Sequence, residues 1–283
     1  MILKIESASN ENEDEMLAYL KKHENTSLFL LGNYENYGGS IGTSPFSGQY
    51  KLIRSEGKIM GVFSLIKKGS LLVQSIVSEE VFEVVIESCK EEGIPITGLF
   101  GSWEVCSPLW KKLKEEKIIK EETFAQKEIL YTIEPPIQDT TLPQIRLLSK
   151  EDLSQWLPMR MHYLDEEGFP SHLSEKELTD YFYEKVERKI VWGYFIHHTL
   201  VSIADLNAKA FDLGQVGGVF TLPDHRRKGY SKAIMQRLFH DCKTLHHIRK
   251  LIIFTGFENI AARTVYESSG CQKAEPFALF FGK

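Results

Sequence analysis

Three cations, a glycine and a small hydroxyl residue stand together in Arg226-Arg227-Lys228-Gly229-Tyr230-Ser231. An apolar run, Val219-Phe220-Thr221-Leu222, precedes them and stops at Pro223. Behind them Ala233, Ile234, Leu238, Phe239 and Cys242 recur at three- and four-residue steps, the period of a helix. The order is therefore strand, basic turn, helix. The first turn of a helix has backbone N–H groups without partners and a partial positive charge. Small residues let an anion approach that backbone, and basic side chains add attraction. These are the requirements of a pyrophosphate cradle. The spacings of a P-loop and of a Gly-x-Gly-x-x-Gly fingerprint are both absent. The competing reading of the turn alone is a basic helix start on the surface.

A second informative stretch runs from Phe254 to Gly270. Asn259 can cap a helix and Gly270 can end it, with Ala262, Val265, Tyr266 and Ser269 on neighbouring faces. The first stretch resembles the acetyl-CoA signature of the GNAT superfamily of N-acetyltransferases, Arg/Gln-x-x-Gly-x-Gly/Ala, with Ser231 in place of the last small residue. The second resembles the later motif of the same superfamily, in which an Asn starts the helix and a Tyr follows seven positions on. The wording Val-Phe-Thr-x-Pro, then Phe-Thr, Glu-Asn and Tyr-Glu, is most similar to the bacterial FR47-like members. The resemblance covers residues 145–283.

The resemblance implies an α/β fold with a mixed sheet, acetyl-CoA as co-substrate, and transfer of an acetyl group by direct attack of a primary amine. It assigns the pyrophosphate to backbone N–H groups from Arg227 to Lys232, with Arg226, Arg227, Lys228, Gly229, Tyr230, Ser231 and Lys232 around it. It assigns the pantetheine amides to Val219, Phe220 and Thr221, as if the cofactor were another strand. The N–H of Val219 or of Phe220 is then a candidate oxyanion donor. Asn259 and Ala262 are implied cofactor contacts. Tyr266 is implied as both cofactor contact and general acid, against the plainer alternative of a packed tyrosine.

The general base is not singled out. Asp205, Asp212, Glu166 and Glu167 are all open, directly or through water, and each also reads as a surface carboxylate. The acidic turn Asp165-Glu166-Glu167 could attract a cationic amine. His197-His198 reads as a turn between strands, where adjacent side chains point apart, so no metal is expected.

Composition bounds the rest. With 283 residues, two domains are favoured over one. A formal charge of -5 argues against a general nucleic-acid partner. Cys89, Cys106, Cys242 and Cys271 lack redox or zinc spacing, which points to a reducing, cytoplasmic setting. No uncharged apolar run reaches membrane-spanning length, and no signal peptide is recognisable, so no membrane partner is expected.

The first half repeats the order of strands and helices without evident identity. A helix over Glu13–Lys22, an apolar run over Ser27–Asn33 and a loop over Tyr34–Gly48 lead to strands at Tyr50–Arg54, Ile59–Ile66 and Ser70–Ile76. A helix from Ser78 to Gly93 follows, then a strand at Ile94–Leu99 and a short helix opened by Ser107-Pro108. Where the second half has its basic turn, the first has Ser78-Glu79-Glu80. Two carboxylates repel a pyrophosphate. The expectation is a degenerate GNAT-like domain over 1–134, a proline-rich linker over 135–144, and a GNAT domain over 145–283 closed by strands at Cys271–Ala274 and Phe277–Phe281.

The leading expectation is an N-acetyltransferase acting on a small-molecule or protein amine. The alternative is a CoA-binding regulatory or interaction module without catalysis, and a third reading changes the donor to a longer acyl-CoA. The first half is expected to cover the acceptor side, to stabilise the fold or to form a homodimer contact.

Overall fold

Apolar runs of strand length alternate with amphipathic stretches in both halves, and each set closes on its own core. The computed structural model describes residues 2–136, 142–168 and 173–283. These form two units, Met1–Leu130 with Ala274–Lys283, and Tyr131–Lys273. The middle of the expected linker, 137–141, lies outside the described residues, as do Phe169 and Pro170 after the acidic turn.

The first unit contains β1 (Lys4–Ser7), α1 (Glu13–Lys22), α2 (Glu24–Tyr37), β2 (Gly48–Ser55), β3 (Lys58–Ile66), β4 (Ser70–Ser75), α3 (Glu79–Glu92), β5 (Gly98–Ser102), α4 (Trp103–Glu115) and β6 (Glu122–Ile133), whose last three residues belong to the second unit. β1 to β4 form an antiparallel meander, and β4 pairs with β5 in parallel. Right-handed crossover through α3 is the usual way to make such a pair. α3 buries Val81, Phe82, Val85, Ile86 and Cys89, and Gly93, with φ 67°, ends it in the left-handed conformation. Those side chains share a core with Phe63, Leu71, Leu99, Trp110 and Phe280.

Three expectations change here. The apolar run Ser27–Asn33 lies within α2, which continues to Tyr37, so the loop starts later than Tyr34. α4 starts at Trp103, where the Ser102 hydroxyl accepts from the Val105 N–H at 3.3 Å, and Pro108 lies inside it. The strand Phe277–Gly282, expected to close the second half, instead pairs antiparallel with β5 and with β6 in the first unit. Ala278 and Phe280 are buried in the first unit's core, which explains why that strand stays there.

The second unit contains β7 (Ile145–Leu147), α5 (Leu153–Glu167), α6 (Glu175–Glu187), β8 (Val191–Ile196), β9 (Thr199–Ala210), β10 (Leu213–Thr221), α7 (Tyr230–Thr244), β11 (Lys250–Gly256), α8 (Ile260–Ser268) and β12 (Gln272–Lys273). β7 to β10 are successively antiparallel, and β10 pairs with β11 in parallel. β12 pairs with Tyr131 and Thr132. Pro158 does not break α5. A capping box opens α6, with Glu177 Oε2 accepting from the Ser174 N–H at 2.8 Å. One face of the sheet buries Val191, Ile203 and Phe220 against Trp156, Met159 and Phe182 of α5 and α6. The alternate residue Trp192 points the other way and donates from Nε1 to Asp241 of α7 at 2.8 Å. Among the described residues no helix is long and apolar enough to cross a membrane.

Candidate active site

β10 organises the site because it loses a neighbour halfway along. Its pairing with β11 covers Leu213 to Val216 and stops there. On its other side the register against β9 shifts between Gly217 and Phe220. Gly217 stands opposite Asp205 and Phe220 opposite Ile203, so Gly218 and Val219 together face Ala204. This is a β-bulge. Gly218 has φ 57°, and a Cβ there would lie 2.6 Å from Asp205 Oδ2 and 2.8 Å from Arg160 Nη1. Glycine is thus required both for the conformation and for the close approach of two charged side chains. From Gly217 to Thr221 the strand presents a backbone edge without a β11 partner, as the reading of Val219, Phe220 and Thr221 requires.

The basic turn follows. Arg227 has φ 62° and Gly229 has φ 84°, and Gly229 is the N-cap of α7. The first bond of α7 runs from the Ala233 N–H to the Gly229 carbonyl at 3.0 Å. The N–H groups of Arg227 to Lys232 have no backbone acceptor among the described residues. A row of unpaired donors at a helix start, beside exposed Arg227, fits a pyrophosphate.

Several of the basic side chains are used within the protein. The Arg226 guanidinium donates from Nε to the Thr221 carbonyl at 2.9 Å, and from Nη2 to both oxygens of Glu166 at 2.7 and 2.9 Å. Its charged end is held by Glu166, because the residues expected as an acidic turn, Asp165-Glu166-Glu167, form the last turn of α5 instead. Lys228 Nζ donates to the Asp224 carbonyl at 2.9 Å. The Tyr230 ring lies 4.6 Å from that of Tyr194. Lys232 is half-buried. Ser231, the departure from the signature, has a partner of its own. Its hydroxyl is 2.8 Å from that of Thr221, which is 2.8 Å from that of buried Ser202. This chain of hydroxyls ties the start of α7 to β10 and β9, which a glycine or alanine would not do.

Asn259 caps α8, its Oδ1 accepting from the Ala262 N–H at 3.1 Å. Tyr266 is 5% exposed, and its ring meets that of Tyr131 edge-on at 5.7 Å. The Tyr131 hydroxyl donates to Glu267 at 2.7 Å. Burial, reinforced by that hydrogen bond, pushes the Tyr131 phenol up to about 12.

Geometry separates the carboxylates that sequence left open. Asp212 accepts from Arg249 Nε at 2.7 Å. Glu166 is held by Arg226. Asp205 is buried between two cations, Lys185 at 3.3 Å and Arg160 at 3.8 Å. Glu167 has no ion pair among the described residues. It is half-buried near the end of α5, on the same face as Tyr163 and Arg160, four and seven residues back. Burial, then the charge of Glu166, raises its pKa above the usual carboxylate range. Sequence did not single out Arg160 or Lys185. An Arg inside an otherwise apolar stripe of Trp156, Met159 and Tyr163 is the signal that was there to be found.

Comparison with known proteins places this unit. Residues 144–273 match the family model described as acetyltransferase (GNAT) domain. No curated protein matches the chain. Among solved structures, a Drosophila protein matches at 15% identity over 98% of each chain with a TM-score of 0.66. A GNAT-family acetyltransferase from Colwellia psychrerythraea matches at 15% identity over 99% of this chain and 100% of that one, TM-score 0.56. A tandem GNAT protein from the clavulanic acid biosynthesis pathway matches at 9% identity over 99% and 98%, TM-score 0.53. At these identities the structural likenesses establish the fold, a mixed α/β GNAT fold in tandem. Residues 144–273, just under half of the chain, are thus similar to the acetyltransferase (GNAT) domain.

Proposed function

We propose that the second unit transfers an acetyl group from acetyl-CoA to a primary amine, with Glu167 as general base and Tyr266 as general acid. The observation that carries this reading is β10 itself, a strand with a bulge and a free edge that runs into a row of unpaired N–H groups at the start of α7. The N–H groups of Arg227 to Lys232 hold the pyrophosphate, and Gly229 keeps their approach open. The free edge of Val219 to Thr221 binds the pantetheine amides. Bound acetyl-CoA supplies an activated thioester.

The chain's own residues supply position and proton transfer. The N–H of Val219 or Phe220, beside the bulge, is the donor that would stabilise developing negative charge on an oxygen. The incoming amine nitrogen forms a bond to the acetyl carbon as the carbon–sulfur bond breaks. Glu167 takes the proton from nitrogen, directly or through one water. The Tyr266 hydroxyl gives a proton to the departing sulfur. A raised carboxylate pKa suits the base, because proton transfer is most effective when the base titrates near the working pH.

Calorimetric titration with acetyl-CoA, followed by CoA release across a panel of amines, tests the reading. Binding with turnover supports it. Binding without turnover of any amine leaves a CoA-binding module and refutes the enzymatic role.

A further inference from the structure

Under β10 lies a charge cluster that the acetyl transfer does not use. Arg160 is 9% exposed, and its Nε and Nη1 are buried with no hydrogen-bond partner among the described residues. The nearest carboxylate oxygen, Asp205 Oδ2, is 3.8 Å from Nη1, beyond hydrogen-bond distance. Asp205 is shared, since its Oδ1 lies 3.3 Å from Lys185 Nζ. Lys185 is itself buried, with the Leu206 carbonyl as its second acceptor. Two buried cations thus face one carboxylate.

The rings around Arg160 do not close this account. Its guanidinium lies 4.9 Å from the Tyr163 ring centre and 5.2 Å from that of Tyr181. Burial pushes the Tyr163 phenol well up, so Tyr163 stays neutral. The Tyr181 hydroxyl donates to Asn207 Oδ1 at 3.3 Å. A buried cation left without an anion or a full set of acceptors is strongly disfavoured. Arg160 also touches the site directly, at Gly218 of the bulge, one residue before the candidate oxyanion donors.

We infer that Arg160 is the anchor for a carboxylate on the acceptor, so that the substrate class is amines that also carry a carboxylate group. The inference rests on the acetyltransferase reading. A guanidinium offers a planar fork that matches a carboxylate, and two aromatic walls favour a flat anion. Glu167 lies two helical turns along the same face of α5, about 10 Å by rise per residue, which sets base and anchor at opposite ends of the acceptor. The carboxylate is unchanged in the reaction. The amine nitrogen gains the acetyl carbon and loses its proton to the base, and the thiolate leaves and is protonated. A diamine or polyamine has nothing to offer Arg160.

The test uses the full chain, acetyl-CoA, ω-amino acids from glycine to 6-aminohexanoate, and the matching amides. For the intact protein, kcat/KM for the favoured acid should exceed that for its amide by about tenfold to hundredfold, the usual worth of hydrogen bonds to a charged group. In Arg160→Gln that preference should collapse, mainly through KM, with acetyl-CoA affinity unchanged. Arg160→Lys, which keeps the charge and loses the fork, should recover part of it and covers the case in which Arg160→Gln does not fold. Equal use of acid and amide by the intact protein overturns the inference, whatever the variants do. Where acetyl-CoA binds but no amine is acetylated, titration of the acids into the CoA-saturated protein decides. Binding that is lost in Arg160→Gln supports the anion site while refuting turnover, and no binding overturns the site. Failure to bind acetyl-CoA refutes the acetyltransferase reading separately.

Discussion

The two units share a plan up to one point and then diverge. In each, four residue pairs join two parallel strands, Ser70–Val73 with Gly98–Gly101 in the first unit and Leu213–Val216 with Lys250–Ile253 in the second. In each, the first of these strands then leads into the crossover helix. In the second unit the strand continues for five residues past the last pair, with a bulge on its other side, and reaches a turn of glycine and cations. In the first unit β4 continues for two residues, its register against β3 is unbroken, and it reaches Ser78-Glu79-Glu80. Those carboxylates are occupied locally, Glu80 by the Ser78 hydroxyl and Glu79 by Lys112. The free part of β4 is also covered, since the Thr26 hydroxyl of α2 donates to Gln74 Oε1 at 2.7 Å. On the proposed reading, the parallel pair alone does not make a cofactor site. The second unit combines a bulge, a free edge and a positive helix start, whereas in the first unit α2 covers the strand's free part.

That contrast can be broken most severely at Gly229. Gly229→Glu puts a side chain where φ is 84° and a negative charge among the donors. We expect acetyl-CoA affinity by calorimetry to fall at least about a hundredfold, combining a left-handed penalty of roughly 1–2 kcal/mol with charge repulsion. The reverse exchange, Glu79→Lys with Glu80→Lys, should create no acetyl-CoA binding in the first unit. Any measurable binding there would show that charge alone separates the units.

Next comes Glu167→Gln, which should lower kcat/KM by about a hundredfold or more, the usual scale for a lost general base. In the intact protein the acid limb of the pH–rate profile should lie above the pH of an ordinary glutamate, and the variant should lose that limb. The sign for stability is opposite. A carboxylate whose folded pKa is raised stabilises the fold when protonated, fully so below its unfolded value, and that contribution is lost as pH rises through the raised folded value. At neutral pH Glu167→Gln should therefore keep or raise Tm while activity falls. A variant with lower Tm and an unchanged pH profile would remove Glu167 from the mechanism.

A smaller effect is expected in the first unit. Thr26→Val leaves buried Gln74 without its donor and should cost about 1–3 kcal/mol by denaturant melt, with kcat unchanged. The smallest is Ser231→Ala. It opens the hydroxyl chain to Thr221 and should cost about 1 kcal/mol or less, with a modest rise in the KM for acetyl-CoA. A large loss from Ser231→Ala would mean that its hydroxyl holds the cofactor rather than the strand.

The parts of this site that sequence revealed are those confined to one stretch. The turn at Arg226–Ser231 and the pair Asn259 and Tyr266 each sit at a single strand-to-helix junction, where spacing alone fixes the backbone that results. The cluster of Arg160, Lys185 and Asp205 draws on α5, α6 and β9, and no local spacing joins residues on three elements. Glu167 was one carboxylate among four until the structure showed which of the others had cations. Phe277–Phe281 reads as a strand because its apolar residues favour one, but β-pairing is non-local, and its partners β5 and β6 were not legible. α2 reads as a bare apolar run because it is buried on most sides, which erases the helical stripe.

That displaced strand sets the order in which the protein can be made. Residues 1–130 are synthesised first, yet their sheet places Ala278 and Phe280 in its core and pairs β5 with a strand ending at Gly282. β5 therefore waits with an unpaired edge while the whole second unit is translated, and unpaired edges of apolar strands are where chains aggregate. The first unit is thus the last to be completed, and cutting the chain before residue 277 should damage it and spare the fold of the unit that carries the candidate active site.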